Sequence, residues 1–140
     1  KVLAESLLKE YIPNEKLIIL RLTGVYDKNI NGRNMISHIK RGLKNRSLNI
    51  YSSGEELRDY MNAYDVAKTI YFLLKKDANG IYNLATGISK KVKYFINKLN
   101  KQYQLEKKQI FYNSNVCLND IIIDVNKIKK IISVKNFKKI

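Results

Sequence analysis

The sequence predicts an α/β fold in which short strands alternate with amphipathic helices. Short, almost continuous apolar runs recur along the chain, and segments with apolar residues at helical spacing separate them. With 140 residues, 45% of them hydrophobic, the chain has the length and composition of one domain with a hydrophobic core.

The first helix is predicted over residues 2–11, because its apolar residues recur at helical spacing and Pro13 ends the pattern. Its apolar stripe consists of Leu3, Leu7, Leu8 and Tyr11. The run KLIILRL at 16–22 then predicts a strand covered on both faces, as in a parallel sheet. The segment 23–33 contains two glycines and is predicted to be a loop.

A second helix is predicted over 34–46, followed by a short strand in SLNIYSSG at 47–54. Asp65 stands directly before the apolar segment VAKTIYFLLKK. We therefore predict that it is the N-cap of a third helix, since its carboxylate can accept a bond from a first-turn amide.

The last part of the chain continues the alternation. IYNLAT at 81–86 predicts a strand, and Ser89 is predicted to cap the helix that follows. The apolar stripe of that helix consists of Val92, Phe95, Ile96 and Leu99. QIFY at 109–112 is predicted to be an edge strand, and 124–132 a last helix.

The sequence contains no phosphate-binding glycine loop. Its six glycines are scattered, and none lies in a GxGxxG or GxxxxGK[ST] frame. The chain also begins inside a helix-like pattern. We therefore expect it to be the later part of a larger unit.

The net charge is +15, from 27 Lys and Arg against 12 Asp and Glu. The lysines occur as scattered pairs and form no longer basic block, which is typical of solvated helix faces. A basic nucleic-acid-binding module is the alternative, although we expect no nucleic-acid partner. Four of the acids, Glu55, Glu56, Asp59 and Asp65, surround Arg58 in one short stretch.

The sequence also bears on location. Cys117 is the only cysteine, which excludes an internal disulfide and fits a reducing, cytoplasmic compartment. The first residues include acids after the first apolar positions and do not resemble a signal peptide. No apolar run approaches the length that crosses a bilayer, so we expect no membrane partner.

Four segments together resemble the later half of the extended short-chain dehydrogenase/reductases, the NAD-dependent epimerase/dehydratase family. KVLAE resembles the start of the helix with the YxxxK motif, and LRLTGVYDKN resembles LRxxNVYGP. GEELRDYMNAYDVA is similar to GxxxRDYIHVxDVA, and GIYNLATG to GxYNxGxG. The resemblance implies that 1–30 end a Rossmann-like dinucleotide-binding domain. It implies that 31–140 are mostly a substrate-binding subdomain, with one or two strands returning to the sheet.

The resemblance also implies roles for the residues nearest the cofactor, which would be NAD or NADP bound mainly by an N-terminal half. Lys1 matches the YxxxK lysine, which holds the nicotinamide ribose and lowers the pKa of a catalytic tyrosine located upstream. Thr23 and Gly24 match the strand end beside the nicotinamide. The alternatives are an ordinary helix lysine, and a loop glycine required for its backbone angles.

On the substrate side, the resemblance implies that the partner is a nucleotide-diphosphate sugar. Arg58 matches the arginine that grips the diphosphate, for which a guanidinium fork suits better than an ammonium. The alternative is a structural salt bridge with Glu55, Glu56 or Asp59. Asp120 matches an acid that contacts the substrate ribose, but SNVCLND lacks the arginine that usually precedes this acid.

Three further positions match substrate contacts in the family. Asn34 is expected to cap its helix and point its amide towards the phosphates, or to act as a cap alone. Asn49 and Tyr51 match positions beside the nucleotide base, or else belong to an alternating edge strand with Tyr51 packed. No metal site is expected, since His38 and Cys117 stand alone and the acids lack calcium-loop alternation.

The sequence therefore predicts the substrate-binding half of an NAD(P)-dependent nucleotide-sugar epimerase, dehydratase or reductase, inactive by itself. A catalytically dead structural remnant of the family is the other alternative. An N-terminal half packs on such a unit, so we expect exposed apolar surface and either a homo-oligomer or a partner chain.

Overall fold

The structure is a computed structural model that describes residues 2–28, 32–133 and 137. Its helices are α1 Val2–Tyr11, α2 Met35–Lys44, α3 Ala63–Lys75, α4 Val92–Tyr103 and the short α5 Asn126–Lys129. Its strands are β1 Ile18–Leu22, β2 Gly24–Tyr26, β3 Leu48–Ile50, β4 Leu57–Arg58, β5 Tyr60–Asn62, β6 Gly80–Leu84, β7 Lys90–Lys91 and β8 Ile110–Tyr112. Strands and helices alternate, as the sequence predicts.

The strands form pairs, and the longest is parallel. β1 pairs with β6 from Ile18 opposite Gly80 to Leu22 opposite Leu84. The long connection between these strands is what a parallel pair requires. The pairing explains the continuous apolar run of β1, because strands in parallel sheets are covered on both faces.

Two shorter pairs continue the parallel arrangement, and one is antiparallel. β2 runs parallel to β5, and β3 runs parallel to β8. The predicted loop at 23–33 was therefore wrong for its first part, since β2 forms there only by pairing with a distant strand. β4 and β7 form a short antiparallel ribbon in which Arg58 lies opposite Lys90.

Two hydrophobic clusters hold these pairs together. One joins α2, β3 and α4 through the buried side chains of Ile36, Ile39, Leu43, Leu48, Ile50, Val92, Phe95 and Ile96. The other joins the β1–β6 pair to α3 and α5 through Met61, Val66, Leu73, Tyr82, Leu84, Val125 and Ile128. The segment from β4 to β5 lies where the two clusters meet.

The helix α1 confirms the prediction, but its apolar stripe is not buried. Leu3 is 73% exposed and Tyr11 is 77% exposed, and no residue of the helix is buried. The helix is tied to β1 by a fork of hydrogen bonds from Arg21 to Glu5, with Nη2 to Oε2 at 2.6 Å. Amphipathic patterning thus predicts the helix, while nothing among the described residues covers its apolar face.

Two predicted helix starts were wrong. The N-cap of α3 is Asn62, whose side chain accepts a hydrogen bond from the Tyr64 amide at 2.9 Å, and Asp65 lies inside the first turn. The extended backbone of β5 leads directly into the helix, so the cap falls on the last strand residue. Ser89 does not cap α4, which follows Lys91; its hydroxyl instead donates to the Ile121 carbonyl oxygen.

Two other predicted boundaries agree with the structure, and one differs. Asn34 caps α2, as predicted, and β8 lies within the predicted edge strand. The last helix was predicted over 124–132, but α5 spans only Asn126–Lys129.

Candidate functional site

The candidate site lies around Arg58 on β4. Its Nη1 atom donates hydrogen bonds to the carbonyl oxygens of Leu57 and Asn119, each at 2.7 Å. Within residues 2–28, 32–133 and 137, its Nε and Nη2 groups have no protein acceptor. Backbone oxygens thus hold one edge of the guanidinium, and the other edge keeps donors in the fork geometry that binds carboxylate or phosphate oxygens.

The acids near Arg58 in the sequence do not pair with it. No carboxylate in the described part of the chain lies within salt-bridge distance of its guanidinium. The alternative of a structural salt bridge with Glu55, Glu56 or Asp59 is therefore wrong. Each carboxylate has another task.

Asp59 holds the turn after β6. One carboxylate oxygen accepts bonds from the Thr86 amide and hydroxyl, at 3.1 and 2.8 Å. The other accepts from the amides of Gly87 and Ile88, at 2.8 and 3.2 Å. The Asp59 carbonyl oxygen also accepts a bond from the Thr23 hydroxyl at 2.6 Å. Asp59 therefore joins the ends of β1 and β6 to the strand that carries Arg58.

Glu56 is buried beside Ser52. The Ser52 hydroxyl donates to Glu56 Oε1 at 2.6 Å and also accepts a bond from the Gly54 amide. Glu56 Oε2 is buried without a hydrogen-bond partner among the described residues. These contacts shape the turn that precedes β4.

Glu55 neutralises two lysines of the neighbouring ribbon and helix. It forms ion pairs with Lys91, at 2.8 Å, and with Lys93. Hydrogen bonds from Lys91 and then Lys93 lower the pKa of Glu55 to about 2, and the bond from Glu55 raises the pKa of Lys93. The acid thus compensates cations next to Arg58 and not Arg58 itself.

We expect Glu55→Gln to lower the melting temperature slightly, and only above the acid range. The folded-state pKa lies below the ordinary 4.5, so the ion pairs stabilise the fold above that pH and lose their effect as the pH falls towards 2. Because Glu55 is half exposed, solvent screening keeps the effect small. Thermal melts of Glu55→Gln from neutral to acidic pH measure it, with Glu10→Gln on exposed α1 as the control. A difference between Glu55→Gln and wild type that stays constant with pH would contradict this assignment.

Asp120 lies directly beside β4. Its Oδ1 atom accepts a bond from the Leu57 amide at 2.7 Å, and the Ile121 amide donates to the Leu57 carbonyl oxygen. The neighbouring Asn119 carbonyl oxygen accepts from Arg58. The structure thus brings Asp120 next to Arg58 and engages one of its carboxylate oxygens with the backbone.

Asn34 uses both ends of its amide within the protein. Its Oδ1 accepts a bond from the Ser37 amide at 2.9 Å, and its Nδ2 donates to the Val25 carbonyl oxygen at 2.8 Å. These bonds tie the start of α2 to β2. The contacts match the alternative in which Asn34 acts as a helix cap.

Asn49 and Tyr51 lie on an open surface with His38. Asn49 is exposed in the centre of β3, and Tyr51 is 76% exposed. The alternative of a packed Tyr51 is therefore wrong. His38 Nε2 donates to the Asn49 carbonyl oxygen at 2.7 Å, and the His38 and Tyr51 rings lie 5.7 Å apart. This surface presents aromatic rings that a flat ligand could stack against.

Thr23 and Gly24 connect β1 to β2. The Thr23 amide donates to the Leu84 carbonyl oxygen and its hydroxyl to Asp59. Gly24 does not have a positive φ, so the predicted reason for this glycine was wrong. A Cβ at Gly24 would lie less than 3.0 Å from ring atoms of Tyr60. Close approach of that ring requires glycine here.

These contacts also test the fit of a dinucleotide. The polar groups of Thr23 engage the protein, and the described residues include no glycine cradle for a pyrophosphate. The described residues therefore do not by themselves form a dinucleotide site. Lys1, the position that matches the YxxxK lysine, lies outside the described residues.

Two open clefts lie elsewhere. One, of about 300 Å³, lies between α3 and residues 131–133, and the other, of about 590 Å³, lies beside the turn 86–88. Neither is lined by Arg58. Within the ranges described, no group of three or more His, Cys, Asp and Glu side chains could hold a metal ion. None of the helices there is long and apolar enough to span a bilayer.

Sequence reasoning missed two features of this site. It named Asp59 only as an alternative salt-bridge partner of Arg58, although Asp59 binds the turn after β6. It also passed over Lys90, which lies opposite Arg58. Only the pairing of β4 with β7 reveals Lys90, whereas the matched RDY motif already marked Asp59 as part of a functional segment.

Parallel strand pairs covered by helices define an α/β protein of the Rossmann-like class. The sequence model of the NAD dependent epimerase/dehydratase family matches residues 1–85, which is more than half of the chain. The chain belongs to this family, which confirms the resemblance of its motifs. No protein of curated function matches the sequence.

Solved structures share the fold. UDP-glucose 4-epimerase from Thermotoga maritima, solved with UDP-glucose, is 23% identical with a TM-score of 0.72, covering 92% of this chain and 43% of that protein. dTDP-glucose 4,6-dehydratase from Bacillus anthracis, in complex with NAD, is 22% identical with a TM-score of 0.74. The match covers 93% of this chain and 42% of that protein. ADP-L-glycero-D-manno-heptose-6-epimerase from Helicobacter pylori is 14% identical with a TM-score of 0.77. The match covers 93% of this chain and 42% of that protein. The chain thus spans less than half the length of these proteins.

Proposed function

We propose that this chain is the nucleotide-sugar-binding part of an NAD(P)-dependent epimerase, dehydratase or reductase. In the complete enzyme, a hydride would pass between the nicotinamide and a sugar carbon. The cofactor would be held mainly by residues outside this chain. The task of this chain would be to bind and orient the nucleotide diphosphate.

The observation that carries the proposal is that the guanidinium of Arg58 is fixed through one nitrogen and, among the described residues, keeps free donors on the others. Its guanidinium is held by two backbone carbonyl oxygens, and its remaining donors have no acceptor within the described residues. A guanidinium held in place loses little side-chain freedom on binding, which favours affinity. Its fork matches two oxygens of a phosphate, and charge-assisted bonds of this kind are stronger than neutral ones.

The surroundings of Arg58 support the same function. Asp120 would contact the ribose, and Tyr51 and Asn49 would lie beside the base. Thr23 and Gly24 would line the nicotinamide end, with Lys1 beside the ribose of the cofactor. The parallel pairing of β1 with β6 supports a division in which 1–30 end the dinucleotide-binding sheet and β6 returns to pair with it.

The comparisons support the class of ligand. The Thermotoga epimerase was solved with UDP-glucose, and WbmG from Bordetella bronchiseptica with NAD and UDP. A diphosphate nucleotide is thus the shared chemistry on which Arg58 would act. The exposed stripe of α1 would be covered by a second copy or by an N-terminal half.

Titrations with UDP, dTDP and uridine test this proposal directly. We expect the wild-type chain to bind the two diphosphates and not uridine, because Arg58 supplies bonds to phosphate. We expect Arg58→Ala to weaken diphosphate binding about 10- to 100-fold, the value of charge-assisted hydrogen bonds. Arg58→Lys should retain only part of the wild-type affinity for the diphosphates, because an ammonium lacks the fork of a guanidinium.

The control is Lys101→Ala, which removes one positive charge from an exposed side chain in the last turn of α4. Equal affinities of Arg58→Ala and wild type for UDP would remove Arg58 from the site. Binding of RNA or DNA that ignores base identity and weakens steeply with salt would support the nucleic-acid alternative. If the 140-residue chain turned over a UDP- or dTDP-sugar with NAD, the prediction that the chain is inactive by itself would be wrong.

A further inference from the structure

The β4–β7 ribbon places two cations directly opposite each other. In its antiparallel register, Arg58 pairs with Lys90 and Leu57 with Lys91. Residues directly opposite in an antiparallel pair point to the same face of the ribbon, and like charges there are destabilising. This register therefore costs stability unless an anion lies between the two side chains.

The nearby acids do not remove this repulsion. Glu55 forms ion pairs with Lys91 and Lys93, the two cations that follow Lys90 in the chain. For Arg58 and Lys90, no carboxylate of the described residues lies within salt-bridge distance. Within the part of the chain that the structure describes, Arg58 and Lys90 thus form a pair of opposed positive charges without a carboxylate in salt-bridge distance, whereas Lys91 beside them is paired with Glu55.

Uncharged groups hold both cations and leave donors free. Lys90 Nζ lies 5.5 Å from the ring centroid of Tyr94 on α4, a cation–π contact that uses none of its N–H groups. Arg58 is held by backbone oxygens through Nη1 alone. Both side chains therefore leave the same face of the ribbon and, among the described residues, keep free donors, which binding of one shared anion requires.

We propose that Lys90 is a second phosphate-binding residue that, together with Arg58, contacts the diphosphate of a nucleotide sugar. This inference rests on the function proposed above. The fork of Arg58 suits two oxygens of one phosphate, and the compact ammonium of Lys90 acts as a point charge on the other. The segment 114–120 lacks an arginine for this task, and Lys90 supplies the missing cation from a different strand.

Affinities of Lys90→Gln and Lys98→Gln for UDP and UMP test the inference. Lys98 is a matched control, because its Nζ lies 5.8 Å from the same Tyr94 ring but sits farther along α4. We expect Lys90→Gln to weaken UDP binding about 3- to 10-fold, allowing for solvent exposure, and UMP binding less. Lys98→Gln should match wild type, and Lys90→Arg should retain affinity for UDP.

Equal UDP affinities of Lys90→Gln and Lys98→Gln, with a large loss in Arg58→Ala, would overturn the role of Lys90 and leave the proposed function standing. Unchanged affinity in Arg58→Ala as well would overturn both. Melting temperatures without ligand give an independent measurement. Because the opposed cations repel, Lys90→Gln should melt no lower than Lys98→Gln, and a clearly lower value would contradict the argument.

Discussion

Asp59→Ala is expected to lower the free energy of unfolding by about 3 kcal/mol or more. The carboxylate is 3% exposed and accepts bonds from the amides of Thr86, Gly87 and Ile88 and from the Thr86 hydroxyl. Alanine would leave these donors without their acceptor, and the turn after β6 would separate from β4. Urea unfolding of both proteins measures the loss.

The isosteric variant Asp59→Asn sharpens this test. Its side-chain NH₂ would face either the amides of Gly87 and Ile88 or the groups of Thr86, and we expect it to cost about 1–3 kcal/mol. Glu10→Gln removes the same charge from exposed α1 and should change stability little. An Asp59→Asn protein as stable as wild type would show that these bonds contribute little.

A comparable loss, about 3–5 kcal/mol, is expected from Phe95→Ala. Phe95 is 5% exposed and packs edge-on against Tyr60, with ring centroids 5.4 Å apart. Removing the ring leaves a cavity between α4 and β5 and releases the Tyr60 ring that covers Gly24. Since small domains are stable by about 5–15 kcal/mol, this is a large share of the total.

Phe111→Ala is the matched control for this prediction, because Phe111 is 53% exposed on β8. The same atoms are removed, but little apolar surface returns to water and no cavity forms. We expect a loss well below that of Phe95→Ala. Similar losses from both substitutions would mean that the burial of Phe95 in the cluster that joins α2, β3 and α4 does not determine the size of the loss.

The elements that the sequence predicts well are those with a local cause. Helix α1 follows from apolar spacing and Pro13, and α2 from the cap at Asn34. The strand β1 follows from its continuous apolar run. The strand β2 was missed, because its short segment has no local strand pattern and forms only against β5. The start of α3 was misplaced because Asn62 and Asp65 are both good caps, and the strand before them decides between them.

The candidate site follows the same rule. Its motif pointed to Arg58, and a guanidinium suits a diphosphate whatever its neighbours. The nearby acids pointed to ion pairs with Arg58 that do not form. Sequence neighbours in an extended segment point to opposite faces, so residues close in the chain need not meet.

The sequence by itself determined the family, the α/β class and the position of Arg58, because these depend on periodicity and on short motifs read along one segment. Tertiary structure alone decided that Asp59 holds the turn 86–88, that Glu55 compensates Lys91 and Lys93, and that Lys90 lies opposite Arg58. Each of these contacts joins segments far apart in the chain. Their register is set by the packing of both hydrophobic clusters and not by any local pattern.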